Sequence, residues 1–176
     1  VFTLVAFRVA WGLVGGRWSR FSSFLYAPGT VLRYLRGQSR ADEHHDVGHN
    51  PLGSFSVFAL LGVLALQVAS GLVADDDIAN VGPLNRFVSG ALAGRATHWH
   101  KDYGQWVLVA LVVLHLAAIV YYLLRKKRNL VRPMLVGDKL LPPGTPAATD
   151  SAWTRLLALL LAAVCGWGVA WIVSLG

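Results

Sequence analysis

The sequence predicts an all-α membrane protein: a transmembrane helix bundle with a partial first helix and three complete spanning helices. Three observations carry this. Residues 51–74 and 156–175 contain no charged residue, and each is long enough to cross a hydrocarbon core, which takes about 20 apolar residues in a helix. A third stretch, 103–124, has only tyrosines and His115 as titratable groups. Finally, 55% of the 176 residues are hydrophobic and 14% charged, against about 25% charged in soluble domains. The single cysteine excludes a disulfide scaffold and a cysteine-built metal cluster within this chain.

The elements follow in order. Residues 1–16 are apolar apart from Arg8 and too short to span. They show neither the basic start nor the small-residue cleavage site of a signal peptide. They read as the second half of a spanning helix, so the chain is expected to be part of a longer protein. Residues 17–50 form a basic connection, with a short interfacial helix expected within 21–35 from the start signal Pro28. Asn50 and Pro51 look like the cap and first residue of the helix over 51–74. Residues 75–100 form an acidic connection, with a short helix expected over 83–92. The next span covers 101–124, with Tyr103, Trp106, Tyr121 and Tyr122 at its ends as in interfacial aromatic belts. Residues 125–150 are basic and then proline-rich. The last span covers 152–175, capped by Asp150 or Ser151.

The net charge of +7 would suggest nucleic acid in a soluble protein. In an apolar chain it reads as topology instead, and no nucleic-acid partner is expected. Arg17, Arg20, Arg33, Arg36 and Arg40 lie in the first connection, and Arg125 to Arg128, Arg132 and Lys139 in the third. Asp75, Asp76 and Asp77 lie in the second. The positive-inside rule makes 17–50 and 125–150 cytoplasmic, and 75–100 and the C-terminus periplasmic. A bacterial inner membrane is the expected location.

Six histidines stand at 44, 45, 49, 98, 100 and 115. His115 is embedded in an apolar span, where a titratable group is costly without a partner and marks a functional site. His100 precedes it by 15 positions, roughly 22 Å along a helix at about 1.5 Å per residue, and points within roughly 60° of it. One face therefore offers an imidazole near each side of a core about 30 Å thick. That is suitable geometry for two stacked b-type haems, whose iron takes neutral imidazole as axial ligand. His98 is the other candidate for the outer ligand; its alternative is an interfacial residue. Each haem needs one further axial ligand, and the spanning segments contain no other histidine; His49, at the cytoplasmic start of the 51–74 helix, reads as structural, the alternative being a reach to the inner haem. No Cys-x-x-Cys-His occurs, which excludes covalent c-type attachment here.

Several stretches, in order, resemble the bacterial di-haem b-type cytochromes that serve nickel–iron hydrogenase and thiosulfate reductase as membrane subunits. They are Arg8-Val-Ala-Trp-Gly12, Arg17-Trp-Ser-Arg-Phe21, Gly48-His-Asn-Pro-Leu-Gly53, Leu66-Gln-Val-Ala-Ser-Gly71, Ala74-Asp-Asp-Asp-Ile78 with Gly82-Pro-Leu84, His100 to His115, and Asn129-Leu-Val-Arg-Pro-Met134. The resemblance implies four core helices, with helices one, two and four supplying haem ligands. It places the start of this chain inside helix two, just after that helix's ligand, and makes the last span an extra fifth helix. The family spacing between the two helix-four ligands is 14; here it is 15, and Lys101 occupies the alternative position.

Other residues have roles in this reading. Arg8, roughly 12 Å inside its helix at about 1.5 Å per residue, has a haem propionate as a natural partner, or snorkels to the interface. Arg17 and Arg20 are similar candidates near the inner surface. His45 and His49 are spaced i, i+4, as metal ligands on one helix face can be, or belong to a polar loop. The Asp75–Asp77 run is either a docking surface for a basic redox partner or a solvated loop. Cys165 reads as a packing residue. The function expected is that of an electron-transfer subunit of an oxidoreductase complex. It would carry electrons through haem iron between a periplasmic cytochrome or enzyme subunit and a quinone of the respiratory chain. No catalytic acid, base or nucleophile cluster is visible. The alternative is a haem-free transporter or assembly subunit, with His115 as a proton-relay or packing group.

Overall fold

A computed structural model describes residues 1–40, 47–76, 78, 80–137, 144–145, 147–148 and 150–176. The helices are α1 (Phe2–Val14), α2 (Pro28–Leu35), α3 (Pro51–Val73), α4 (Gly90–His98), α5 (Gln105–Leu124), α6 (Val131–Val136) and α7 (Ala152–Val173). A π-helical segment, Trp99–Gly104, joins α4 to α5 without a break.

Three helices among the described residues are long and apolar enough to cross a membrane: α3, the continuous Gly90–Leu124 rod, and α7. The 13 residues of α1 reach about 20 Å at 1.5 Å per residue, short of a core about 30 Å thick. Among the described residues the buried hydrophobic ones are Val5, Phe24, Val47 and Ala93, whereas most of the large apolar side chains on α5 and α7 are exposed. A bundle solvated by lipid needs no apolar interior of its own, because acyl chains are as apolar as leucine.

Local signals explain the helix starts. Asn50 accepts from the Gly53 N–H at 2.7 Å, with Pro51 as the first helical residue of α3. Pro28 opens α2. Of the two candidate caps for α7, Ser151 is the one used, accepting from the Thr154 N–H. Asp150 instead takes a two-pronged hydrogen bond from Arg155, which holds its carboxyl below the usual range.

The connection after α3 differs from expectation. Residues 83–92 form no separate helix. One 3-10 turn covers Asn85–Phe87, and Ser89 then caps a helix that starts at Gly90 and runs unbroken for 35 residues. That rod is about 52 Å long at 1.5 Å per residue. His98 and His100 share this helix with His115, as expected, but lie well inside it rather than at its end.

Neighbouring spans are antiparallel. At one end, Asn50 Nδ2 donates to the Tyr122 hydroxyl, tying the start of α3 to the end of α5, and Tyr34 of α2 joins the same hydroxyl at 3.0 Å. The end of α1 and the start of α7 share a pocket of about 220 Å³ between Trp11, Trp18, Thr154 and Arg155. At the opposite end, Gly176 lies against Pro83. The arginines at 17, 20, 33, 36 and 125 thus gather at the first end. Asp75 and Asp76 lie at the second.

Candidate functional site

The interface between α3 and α5 brings His100 and His115 against polar residues of α3. On α5 the partly covered positions Leu108, Leu111, His115, Ile119 and Tyr122 recur every three or four residues, the signature of one packed helix face. On α3 the span's polar residues are Ser54, Ser56, Gln67 and Ser70. Ser54 turns back onto the Pro51 carbonyl; the other three meet the histidines.

At the basic end, Ser56 Oγ lies 3.0 Å from His115 Nδ1. Fourteen residues further along α3, His100 Nδ1 lies 3.0 Å from the Gln67 carbonyl and 3.2 Å from Ser70 Oγ. A carbonyl only accepts, so His100 Nδ1 carries the hydrogen and its Nε2 holds the free lone pair. Ser56 and Ser70 form two rungs of one ladder, because fourteen residues of α-helix return to within about 40° of the starting direction. The His115 rung, at the arginine-rich end, is called the inner one, and the His100 rung, toward Asp75 and Asp76, the outer one.

The histidines are fifteen apart, yet both meet this ladder. The π segment accounts for the difference: it carries one more residue per turn than an α-helix, so fifteen residues have the phase of about fourteen. Its freed backbone is satisfied across the interface, where Gln67 Nε2 donates to the His100 carbonyl at 2.8 Å. Gly104 makes room, since a Cβ there would overlap Gln67 Oε1. Gly71 does the same for the imidazole, because a Cβ would stand 2.9 Å from His100 Cε1. Lys101 is exposed.

His98 points elsewhere. Its side chain is 63% exposed, paired with Asp102 and edge-on to Tyr103. Arg8 lies over the Phe21 ring at 5.0 Å and donates to the Ser19 carbonyl. Arg20 closes the end of α1 through the Gly15 carbonyl, and Arg17 is exposed. Asp76 is engaged in its own turn, accepting from the Ile78 and Asn80 N–H groups. Cys165 is a half-buried free thiol of α7. His44, His45 and Asp77 lie outside the described residues.

His49 is a residue whose setting sequence reasoning undervalued. Its ring packs at 5.0 Å on Phe24, which is 1% exposed, and its carbonyl accepts from the Tyr26 hydroxyl. Its Nδ1 is buried without a hydrogen-bond partner among the described residues. Burial, then the nearby charges of Arg8 and His115, push its pKa below the ordinary 6.5. Arg8, His49 and His115 thus share the inner end. Ser56, Gln67 and Ser70 were also missed, although polar residues in a span that must find partners were the signal.

A family model described as prokaryotic cytochrome b561 matches residues 1–137. The chain belongs to the prokaryotic cytochrome b561 family. No curated protein and no solved structure matches it. A cytochrome of this family is a membrane protein that transfers electrons through b-type haem. The haem-free transporter reading does not fit such a chain.

The interface suits that cofactor. Both Nδ1 atoms are engaged by α3, and neither Nε2 has a hydrogen-bond partner among the described residues. No three His, Cys, Asp or Glu side chains gather there as a metal cage among the described residues. A porphyrin brings four nitrogens of its own and asks one imidazole of each axial side.

Proposed function

We propose that this cytochrome carries electrons between the two sides of a bacterial inner membrane, with His115 as an axial ligand of an inner b-type haem and His100 of an outer one. The observation behind the reading is the ladder: two imidazoles on one helix face, each held at Nδ1 by α3. When bound, b-type haem supplies reversible one-electron iron chemistry. The chain's own part is to fix the ring planes, keep the surroundings apolar and hold positive charge near the inner site. Arg8 is the propionate partner of choice there, being half-buried beside the cluster around His49 and His115. Arg17 and Arg20 lie nearer the surface and make a weaker field. His98, exposed and paired with Asp102, is not a ligand in this reading. Each haem takes its second axial ligand from a further helix.

The redox partners are a periplasmic cytochrome or enzyme subunit on the acidic side and a quinone in the lipid. The gathering of arginines at one end supports a cytoplasmic placement of that end and a periplasmic C-terminus. A reduced-minus-oxidised visible spectrum of the purified full-length protein tests the reading. A b-type absorption is expected, and a featureless difference spectrum contradicts it.

A further inference from the structure

We propose that Ser56, Gln67 and Ser70 of α3 are positioning residues for the two axial histidines, and that they hold the two rings unequally. The proposal rests on the ligand reading above and adds what α3 does to each ligand.

With iron on Nε2, each Nδ1 must carry its hydrogen. An imidazole that donates this hydrogen to an acceptor gains anionic character and becomes a stronger donor to iron, and groups one bond beyond the ligand tune a metal in this way. A stronger donor favours the ferric state and lowers the midpoint potential. His115 has one such acceptor, the Ser56 hydroxyl at 3.0 Å. His100 has two, the Gln67 carbonyl at 3.0 Å and Ser70 Oγ at 3.2 Å, and Ser70 itself donates to that carbonyl. The main-chain acceptor survives any side-chain substitution. The Gln67 side chain acts separately, since its hydrogen bond to the His100 carbonyl anchors the π segment that gives a fifteen-residue spacing the phase of fourteen.

The two rungs therefore respond differently when a hydroxyl is removed. Ser56→Ala strips His115 of its acceptor, whereas Ser70→Ala leaves His100 the carbonyl. The test is a potentiometric titration of full-length protein, followed in the visible, together with the haem-to-protein ratio. His115→Ala and His100→Ala identify which wave belongs to which ligand. Ser56→Ala is expected to raise the potential of the His115 wave. The ferric-to-ferrous ratio should change by up to about tenfold, the scale of one hydrogen bond, or about 59 mV for a one-electron couple. Ser70→Ala should move the His100 wave by less, and Ser56→Thr, which keeps the hydroxyl, should restore the parent value. Waves that stay in place in both alanine variants, or that move equally, overturn the proposal while the ligand reading stands. If Ser56→Ala loses haem, Ser56→Thr decides: retention supports the positioning role and loss overturns it. If the histidine variants remove neither wave, the ligand reading fails and this proposal with it.

Discussion

The inner and outer rungs hold their histidines by different means. At the inner rung a regular α-helix brings His115 to a single hydroxyl; the half-buried His49 and Arg8 lie near it, and His49 in turn packs on the Phe21, Phe24 and Phe58 cluster. At the outer rung the helix itself is deformed. A π segment, two glycines and a glutamine cooperate to present His100 to backbone and hydroxyl acceptors. The inner site is thus specified by side-chain chemistry and the outer site by helix geometry. A substitution of charge should act on the first, and a change of register on the second.

Register gives the largest expected effect. Inserting one alanine after Lys101 makes the histidine spacing sixteen, which the existing π segment cannot absorb. The outer haem should be lost and the inner one kept. Deleting Lys101 restores fourteen, the phase of a plain α-helix, and both haems should stay. Pyridine haemochrome analysis of the two variants reads this directly; equal loss in both would remove the distinction between the rungs. Gln67→Leu is expected to act next. It leaves the His100 carbonyl of the π segment without its donor, at about 1–3 kcal/mol for an unsatisfied buried group, and should lower the thermal midpoint in detergent while sparing the His115 wave.

The smallest effect concerns acidity at the inner rung. His49 is held neutral, chiefly by burial. As pH falls below 6.5, the unfolded chain takes up this proton before the folded one does. The stability that His49 contributes is complete above that pH and is lost as pH falls through the lower folded value. Thermal melts at two pH values should show a larger acid loss in the parent protein than in His49→Leu. An equal loss would mean that the ring titrates freely.

Much of the fold was legible beforehand. Uncharged runs gave α3 and α7 away, Asn50-Pro51 marked a helix start, and His115 announced itself by standing alone in an apolar span. The outer rung was harder to read. A π segment has no residue code of its own; its trace in the sequence was only a spacing of fifteen where fourteen was expected. The sequence alone assigns Ser56, Gln67 and Ser70 no role of their own, although Gln67 and Ser70 lie in the Leu66–Gly71 stretch that helps carry the resemblance, because their meaning depends on what α5 sets opposite them. The helix start at Gly90 was obscured because Pro83 at the head of the 83–92 stretch is itself a helix-start signal, and the capping bond of Ser89 is what marks where the rod begins.

The proposed function rests on haem iron as the partner of the second His115 ring nitrogen, Ser56 holding the first. The haem-to-protein ratio of the purified full-length protein carrying His115→Ala, set beside His98→Ala, is the direct test. One haem fewer is expected in the first variant and an unchanged ratio in the second. A full haem complement in His115→Ala would contradict the ligand role.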